Sequence, residues 1–181
     1  MSVLSKLEDG VLRLTLQQKL FDAAMAAALL HELRRTDVQC FLIDGVDPMF
    51  CGGGEGELPV EVFHFRDWIT KPVVCSVQGA VLGAGVGLIA NAHVVIAAQG
   101  TSFGLTEIRA GGWPLGYVAI SKAIGERRAL ELAMTGRVFG APEALQIGLV
   151  HEIAPAFEYD DRADAMARHL ALLPLQGRLP V

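Results

Sequence analysis

One long stretch of the sequence, between Lys71 and Glu107, contains no charged side chain. A helix that spans a membrane needs about 20 consecutive apolar residues, but this stretch also carries Pro72, several polar residues and four glycines between positions 79 and 87. Glycine weakens a helix by about 1 kcal/mol per residue relative to alanine. We therefore interpret the stretch as a buried strand–turn–helix–strand core rather than as a membrane span.

Length and composition narrow the class of protein further. The 181 residues, of which 52% are hydrophobic, fit a single domain over residues 1–181 with a hydrophobic core of its own. The net charge of −5 argues against nucleic acid as a partner, because phosphate binding needs a basic surface. The three cysteines form no CxxC pair, and the N-terminus does not resemble a signal peptide. We expect no disulfide framework and a cytoplasmic location.

The pattern of apolar residues predicts alternating strands and helices, which is typical of an α/β domain. The predicted strands cover residues 11–16, 40–43, 73–77, 93–98, 101–103 and 149–153. The predicted helices cover residues 22–35, 60–69, 83–90, 114–124, 127–135, 142–147 and 161–172.

Two glycine-rich segments each follow a predicted strand: FCGGGE at residues 50–55 and GAGVG at residues 83–87. Glycine turns expose backbone N–H groups, and two such donors that meet at one point form an oxyanion hole for a reacting thioester carbonyl. Ordinary tight turns are the alternative interpretation. A dinucleotide-binding GxGxxG loop is disfavoured, because Leu88 occupies the position of the third glycine.

The region from Lys71 to Ile153 contains KPVVCSVQGAVLGAGVG, then an apolar strand, then FGLTE, and finally IGERRALELAMTGRVFGAPEALQIGLV. In order and spacing these motifs resemble the core of the crotonase (enoyl-CoA hydratase/isomerase) family, and FCGGGE resembles the family's earlier glycine loop. The resemblance implies an α/β fold with a ββα spiral core and surrounding helices. It also implies that an acyl-CoA thioester lies across the two glycine segments.

Site residues follow from the resemblance by position. The implied oxyanion donors are the N–H groups of Gly52 and Ala84. The implied substrate-binding residues are Gly53, Gly54, Glu55, Gly85 and Trp113. Plain packing is the alternative for Trp113. Coenzyme A is expected as part of the substrate and not as a bound cofactor.

The remaining reactive side chains favour structural roles. No metal site is expected, because the five histidines share no ligand spacing. His93, in an apolar strand, is expected to be a core histidine with satisfied hydrogen bonds. Cys51 has no nearby histidine in the sequence to activate it and is expected to be a packed thiol.

Hydratases of this family use two glutamates. The second matches Glu107 in FGLTE, but the first falls on Gly87. Addition of water requires that the water be held and deprotonated, whereas moving a double bond requires a single base. We therefore predict isomerase-type chemistry with Glu107 as the base, its pKa raised by apolar neighbours. Hydration or another lyase reaction is the alternative, as is a non-catalytic acyl-CoA-binding or scaffold protein. A surface carboxylate is the alternative for Glu107.

The sequence departs from the family pattern at two further places. QQK at residues 17–19 replaces the usual RPxxxNA segment after the first strand. The sequence stops at Val181, where family members continue with helices that pack at a trimer interface, so we expect a shortened C-terminal helical extension. The resemblance implies a homo-oligomer, either a trimer or a dimer of trimers.

Overall fold

Two β-sheets, one of six strands and one of three, form the frame of the computed structural model, which describes residues 2–175 and residue 179. The strands are β1 (Val3–Glu8), β2 (Val11–Leu16), β3 (Cys40–Gly45), β4 (Val73–Val77), β5 (Ala80–Leu82), β6 (Val94–Ala98), β7 (Ser102–Gly104), β8 (Val138–Gly140) and β9 (Glu152–Ala154). The large sheet has the order β1-β2-β3-β4-β6-β9, and the small sheet has the order β5-β7-β8.

From β2 to β9 the large sheet is parallel, and only β1 is added antiparallel. Parallel sheets are normally covered on both faces, so their strands are continuously apolar. β3 and β4 follow this rule, since nearly every residue in them is buried. The prediction of an α/β domain is therefore confirmed.

Six α-helices surround the sheets in the described part of the chain: α1 (Ala23–Leu33), α2 (Ala84–Ile89), α3 (Tyr117–Ile124), α4 (Glu126–Thr135), α5 (Ala141–Gln146) and α6 (Tyr159–Leu172). Asp22 caps α1, because its side chain accepts a 2.7 Å hydrogen bond from the Met25 N–H. α6 packs against one face of the large sheet through Ala163 and Ala167. The larger core lies on the other face.

The stretch without charged residues forms β4, β5, α2, β6 and β7 in succession. This confirms the interpretation as a buried strand–turn–helix–strand core. Among the described residues, the longest apolar helices all fall short of what a membrane span requires.

Two helix predictions differ from the structure. The helix predicted at residues 60–69 is instead a pair of short 3₁₀ turns, Val60–Phe63 and Phe65–Asp67. Asn91 explains the difference, because its side-chain amide donates to the Phe63 carbonyl oxygen over 2.8 Å and its Oδ1 accepts from the Arg66 N–H over 3.3 Å. The helix predicted from Pro114 begins three residues later, at Tyr117.

Candidate active site

The first glycine segment, residues 50–55, lies directly beside β5. The Cys51 N–H donates to the Ala80 carbonyl oxygen over 3.0 Å, and the Leu82 N–H donates to the Cys51 carbonyl oxygen over 2.9 Å. These two bonds form a parallel bridge between Cys51 and Val81. Since α2 begins immediately after β5, the bridge brings the two glycine segments together.

The second glycine segment, residues 83–87, forms the start of α2. Gly83 precedes the helix with a φ of +50°, which residues with a Cβ rarely adopt. Gly85 is buried, and a Cβ built there would lie 2.9 Å from the Cys51 Cβ. The absence of a side chain at position 85 therefore permits the contact between the two segments. A contact of Gly85 with substrate stays a prediction.

Gly52 does not have a free N–H group, contrary to the sequence-based expectation. Its N–H donates to the Lys19 carbonyl oxygen over 2.7 Å. Lys19 belongs to the segment in which the sequence departs from the family pattern, so no motif pointed to this bond. Because an N–H group that is already engaged cannot also bind a thioester oxygen, the assignment of Gly52 as an oxyanion donor is wrong.

Gly54 takes the position beside Ala84: a Cβ built on Gly54 would lie 3.4 Å from the Ala84 Cβ. The Phe21 N–H donates to the Gly53 carbonyl oxygen over 2.9 Å, and the Glu55 N–H donates to the Phe21 carbonyl oxygen over 2.9 Å. In such a parallel bridge the N–H of the middle residue, here Gly54, points away from the partner strand. Within the described residues, the N–H groups of Gly54 and Ala84 have no backbone acceptor.

Glu107 lies in a 3₁₀ turn, Thr106–Ala110, and its carboxyl group packs against the start of α2. A Cβ built on Gly83 would lie 3.3 Å from both Cδ and Oε1 of Glu107. The Oε2 atom is buried and has no hydrogen-bond partner among the described residues. Burial raises the pKa of Glu107 above that of an ordinary glutamate. The expected base is therefore a desolvated carboxyl group beside Gly83, the residue that precedes Ala84.

Gly87, where the family's hydratases have the first of their two glutamates, faces an occupied space. A Cβ at this position would lie 2.8 Å from Cδ1 of Phe63 and 3.3 Å from the Gly116 Cα. Real Cβ atoms almost never approach as closely as the first of these distances. The Phe63 ring thus fills the space that a side chain at position 87 would enter, and no sequence motif indicated this contact.

Three other predicted substrate-binding residues lie around the same place. A Cβ built on Gly53 would point into open space, and Glu55 is exposed. Trp113 is 45% exposed, and its ring centroid lies 5.3 Å from that of Tyr117. The exposed half of the indole leaves room for a ligand, while the Tyr117 contact is plain packing, so both interpretations of Trp113 stay open.

Cys51 has the structural character expected from the sequence, whereas His93 has it only in part. The Cys51 thiol is buried and contacts the Gly53 carbonyl oxygen at 3.4 Å, and burial raises its pKa to about 11. It is therefore protonated and a poor nucleophile. The His93 Nδ1 accepts a 3.1 Å hydrogen bond from the Val73 N–H. His93 is however half-buried and lines a cavity instead of the core, so the expectation of a core histidine with satisfied hydrogen bonds is met only at Nδ1.

Comparison with known proteins supports the same family. Residues 66–176 match the family model described as enoyl-CoA hydratase/isomerase. The chain is 31% identical to the 1,2-epoxyphenylacetyl-CoA isomerase of Escherichia coli, with 97% of this chain and 78% of that protein covered. It is 29% identical to a protein of Rhodobacter capsulatus named "Probable enoyl-CoA hydratase", with 93% of this chain and 75% of that protein covered.

A solved structure shows that the fold is also shared. The structure of an enoyl-CoA hydratase/isomerase family protein from Silicibacter pomeroyi superimposes with a TM-score of 0.88 at 27% identity. The superposition covers 96% of this chain and 84% of that one. The extent of these matches, together with the paired glycine segments and the position of Glu107, shows that the chain is a member of the enoyl-CoA hydratase/isomerase family with the crotonase fold.

Proposed function

We propose that the chain catalyses the isomerisation of an enoyl-CoA, with Gly54 and Ala84 as oxyanion donors and Glu107 as the single acid–base group. The observation that carries the proposal is the pair of N–H groups, on Gly54 and Ala84, that have no backbone acceptor among the described residues and lie near a desolvated carboxyl group. Donors that point at a developing oxyanion contribute about 3–4 kcal/mol each to lowering the barrier. The coenzyme A moiety belongs to the substrate.

In the proposed reaction the thioester carbonyl oxygen accepts hydrogen bonds from the Gly54 and Ala84 N–H groups. The ionised Glu107 carboxylate removes a proton from the carbon next to the carbonyl of a 3-enoyl-CoA. The electron pair of that C–H bond becomes part of a dienolate, and the negative charge falls on the carbonyl oxygen. Glu107 then returns the proton to the terminal carbon of the dienolate, which gives the 2-enoyl-CoA and restores the carboxylate.

The surroundings of Gly87 favour isomerisation over hydration. Hydration needs a second polar group that holds the attacking water. Position 87 has no side chain, and the apolar Phe63 ring fills the adjoining space. A site with one carboxyl group and an aromatic wall in place of the other suits a proton transfer in which water is not a reactant.

The proposal is tested with 3-enoyl-CoA and 2-enoyl-CoA substrates of several chain lengths, by comparing the wild type with Glu107→Gln. We expect the wild type to convert 3-enoyl-CoA into 2-enoyl-CoA and to incorporate deuterium in D₂O, followed by NMR. Glu107→Gln should lower kcat by about 10²–10⁴-fold, the usual contribution of a general base. Binding of the substrate, measured by calorimetry, should persist in this variant.

Glu126→Gln is the matched control, because Glu126 is exposed at the start of α4. It should retain wild-type turnover. If the wild type produces 3-hydroxyacyl-CoA from 2-enoyl-CoA instead, the hydratase alternative is correct. If it binds these thioesters without any turnover, the chain is an acyl-CoA-binding protein and the isomerase proposal is rejected.

A further inference from the structure

A cavity of about 410 Å³ lies at the amino-terminal ends of β6 and β9. Its charged and titratable lining residues are His64, Arg66, Asp67, His93, Lys122 and His151. α2 separates it from the candidate active site: Ala84 is at the site and Ile89 lines the cavity. At about 1.5 Å per helical residue, these two positions are roughly 8 Å apart.

Two histidines of the cavity have the same arrangement on neighbouring strands. The backbone N–H of His93 donates to the Val73 carbonyl oxygen over 2.9 Å, and the ring Nδ1 of His93 accepts from the Val73 backbone N–H over 3.1 Å. The backbone N–H of His151 donates to the Val95 carbonyl oxygen over 2.9 Å, and the ring Nδ1 of His151 accepts from the Val95 backbone N–H over 3.0 Å. Each imidazole thus accepts a hydrogen bond from a backbone N–H near the start of a strand.

This arrangement fixes where each ring carries its proton. A neutral imidazole has one N–H donor and one acceptor nitrogen. Because Nδ1 of both His93 and His151 acts as an acceptor, both rings carry the proton on Nε2. Burial, and next the charge of Arg66, lowers the pKa of His93 to about 4 and lowers that of His151 as well. Both rings are therefore neutral hydrogen-bond donors at physiological pH.

Arg66 adds a positive charge to the cavity. One of its guanidinium nitrogens, Nη1, donates to the Ala92 carbonyl oxygen over 3.0 Å, which anchors the side chain at the cavity. In the described part of the chain, no carboxylate forms an ion pair with Arg66. Its other N–H groups are left to bind an acceptor that enters the cavity.

The acidic side chain of the cavity is already engaged. Asp67 forms an ion pair with Lys122 at 3.2 Å and lies 3.7 Å from the His64 Nδ1. Apolar side chains, including Ile89, Val95 and Val118, form the rest of the wall. The cavity therefore combines a cation and two imidazole donors with an apolar wall, and its volume is in the range of about 300–1,000 Å³ typical of small-molecule sites.

A metal ion would not suit this site. A neutral histidine binds a metal through a nitrogen lone pair, and in His93 and His151 the lone pair is on Nδ1, where a backbone N–H uses it. Oxyanions have the opposite requirement, since they accept hydrogen bonds and favour a nearby guanidinium.

We propose that this cavity binds a small organic anion. Its carboxylate or phosphate group accepts hydrogen bonds from Arg66 and from the Nε2–H groups of His93 and His151. Its apolar part packs against Ile89, Val95 and Val118. The cavity is thus a second ligand site, distinct from the site that we propose for the thioester.

The experiment uses probes that share one ring and differ in the head group: phenyl phosphate, benzoate and the neutral benzamide. The histidine ring resonances of ¹⁵N-labelled protein are followed by NMR at neutral pH during each titration. We expect an anionic probe to shift the His93 and His151 resonances saturably, while benzamide has no such effect. The anion that binds more tightly identifies the head group as phosphate or carboxylate.

Arg66→Gln should weaken binding of the anion at least 10-fold, and Arg66→Lys should restore part of it. Arg127→Gln is the matched control: it removes the same charge from an exposed side chain outside the cavity and should bind as the wild type does. Equal affinity for benzamide and the anions, or unchanged binding in Arg66→Gln, overturns the proposal. If Arg66→Gln fails to fold, the comparison of the three probes on the wild type decides by itself.

Discussion

The carboxyl group of Glu107 lies in an environment that stabilises its neutral form. It packs against Gly83, and its Oε2 is buried without a hydrogen-bond partner among the described residues. Desolvation disfavours the charged carboxylate, so the group is more basic than a surface glutamate. A stronger base is useful for removing a proton from carbon, but the ionised form reduces the stability of the fold.

This conflict predicts that Glu107→Gln becomes more stabilising, relative to the wild type, as the pH rises. Below about pH 4 the glutamate is protonated in both the folded and the unfolded state, so its ionisation contributes nothing to the difference. Between the unfolded pKa and the raised folded pKa, only the unfolded state ionises, and the wild type loses stability. Each unit of the pKa difference corresponds to about 1.4 kcal/mol.

Urea unfolding of both proteins between pH 5 and pH 8 measures this effect. The difference in unfolding free energy should grow with pH and then level off. A difference that stays constant across this range would mean that the folded pKa of Glu107 is not raised. Glu126→Gln makes the same substitution at an exposed position and is measured alongside.

Part of the candidate site could be predicted from the sequence. Motif spacing pointed to Ala84 and Glu107, and the structure places the Glu107 carboxyl group against Gly83, the residue before Ala84. Motif spacing did not distinguish Gly52 from Gly54, because both are glycines in one loop. The difference depends on which N–H meets the Lys19 carbonyl oxygen, and that contact joins distant parts of the chain.

α2 and α3 approach each other through two glycines. A Cβ built on Gly116, just before α3, would lie 2.5 Å from the Gly87 Cα. The obstacle is backbone, which cannot move aside as the end of a flexible side chain can. The close approach also places Gly87 against the Phe63 ring. The packing of α2 against α3 therefore depends on Gly87 and Gly116. The position of the Phe63 ring at the candidate site depends on the same two residues.

Gly116→Ala should accordingly destabilise the protein by about 1–3 kcal/mol, the usual cost of overpacking. Gly140→Ala is the matched control, because a Cβ there would lie 3.6 Å from Cδ of Pro142, an ordinary contact, and Gly140 has a φ of −93°. The control should change stability by less than about 1 kcal/mol. Denaturant unfolding of both variants measures this, and equal losses would contradict the close contact of the helices.

At the level of elements, local patterns predicted most of the large sheet, but neither its edge strand β1 nor two strands of the small sheet. β4 has the predicted bounds, because five consecutive apolar or small residues form one buried strand. β1 was not predicted, since five of its six residues are exposed and no alternation marks a core face. β5 and β8 have only three residues each, and pairing with β7 rather than local propensity makes them strands.

The whole molecule is held together by contacts between residues far apart in sequence, which no local pattern reveals. β6 pairs with β9 across more than fifty residues. α6 covers the sheet through an apolar contact and through one polar network. In that network Arg13 of β2 binds Asp44 of β3 and Asp160 of α6. A trimeric assembly stays a prediction from the family resemblance.

The polar network predicts that Asp160→Asn weakens the attachment of α6 to the sheet. The Asp160 carboxylate accepts hydrogen bonds of 2.6 and 2.7 Å from Arg13 and one of 2.9 Å from the Ser76 hydroxyl. Loss of its charge leaves Arg13 with Asp44 alone. Hydrogen bonds to charged groups contribute about 1.5–3 kcal/mol, but the Asp160 side chain is 41% exposed, which reduces the expected loss to about 1 kcal/mol.

Asp161→Asn is the control for this prediction, because Asp161 is the exposed neighbour in the same first turn of α6. Both substitutions remove one negative charge near the helix N-terminus, so their shared effect on the helix dipole cancels in the comparison. The remaining difference in unfolding free energy measures the contacts of Asp160 with Arg13 and Ser76. Amide hydrogen exchange should show faster opening of α6 in Asp160→Asn than in Asp161→Asn, whereas equal rates would mean that the apolar contact alone fixes the helix.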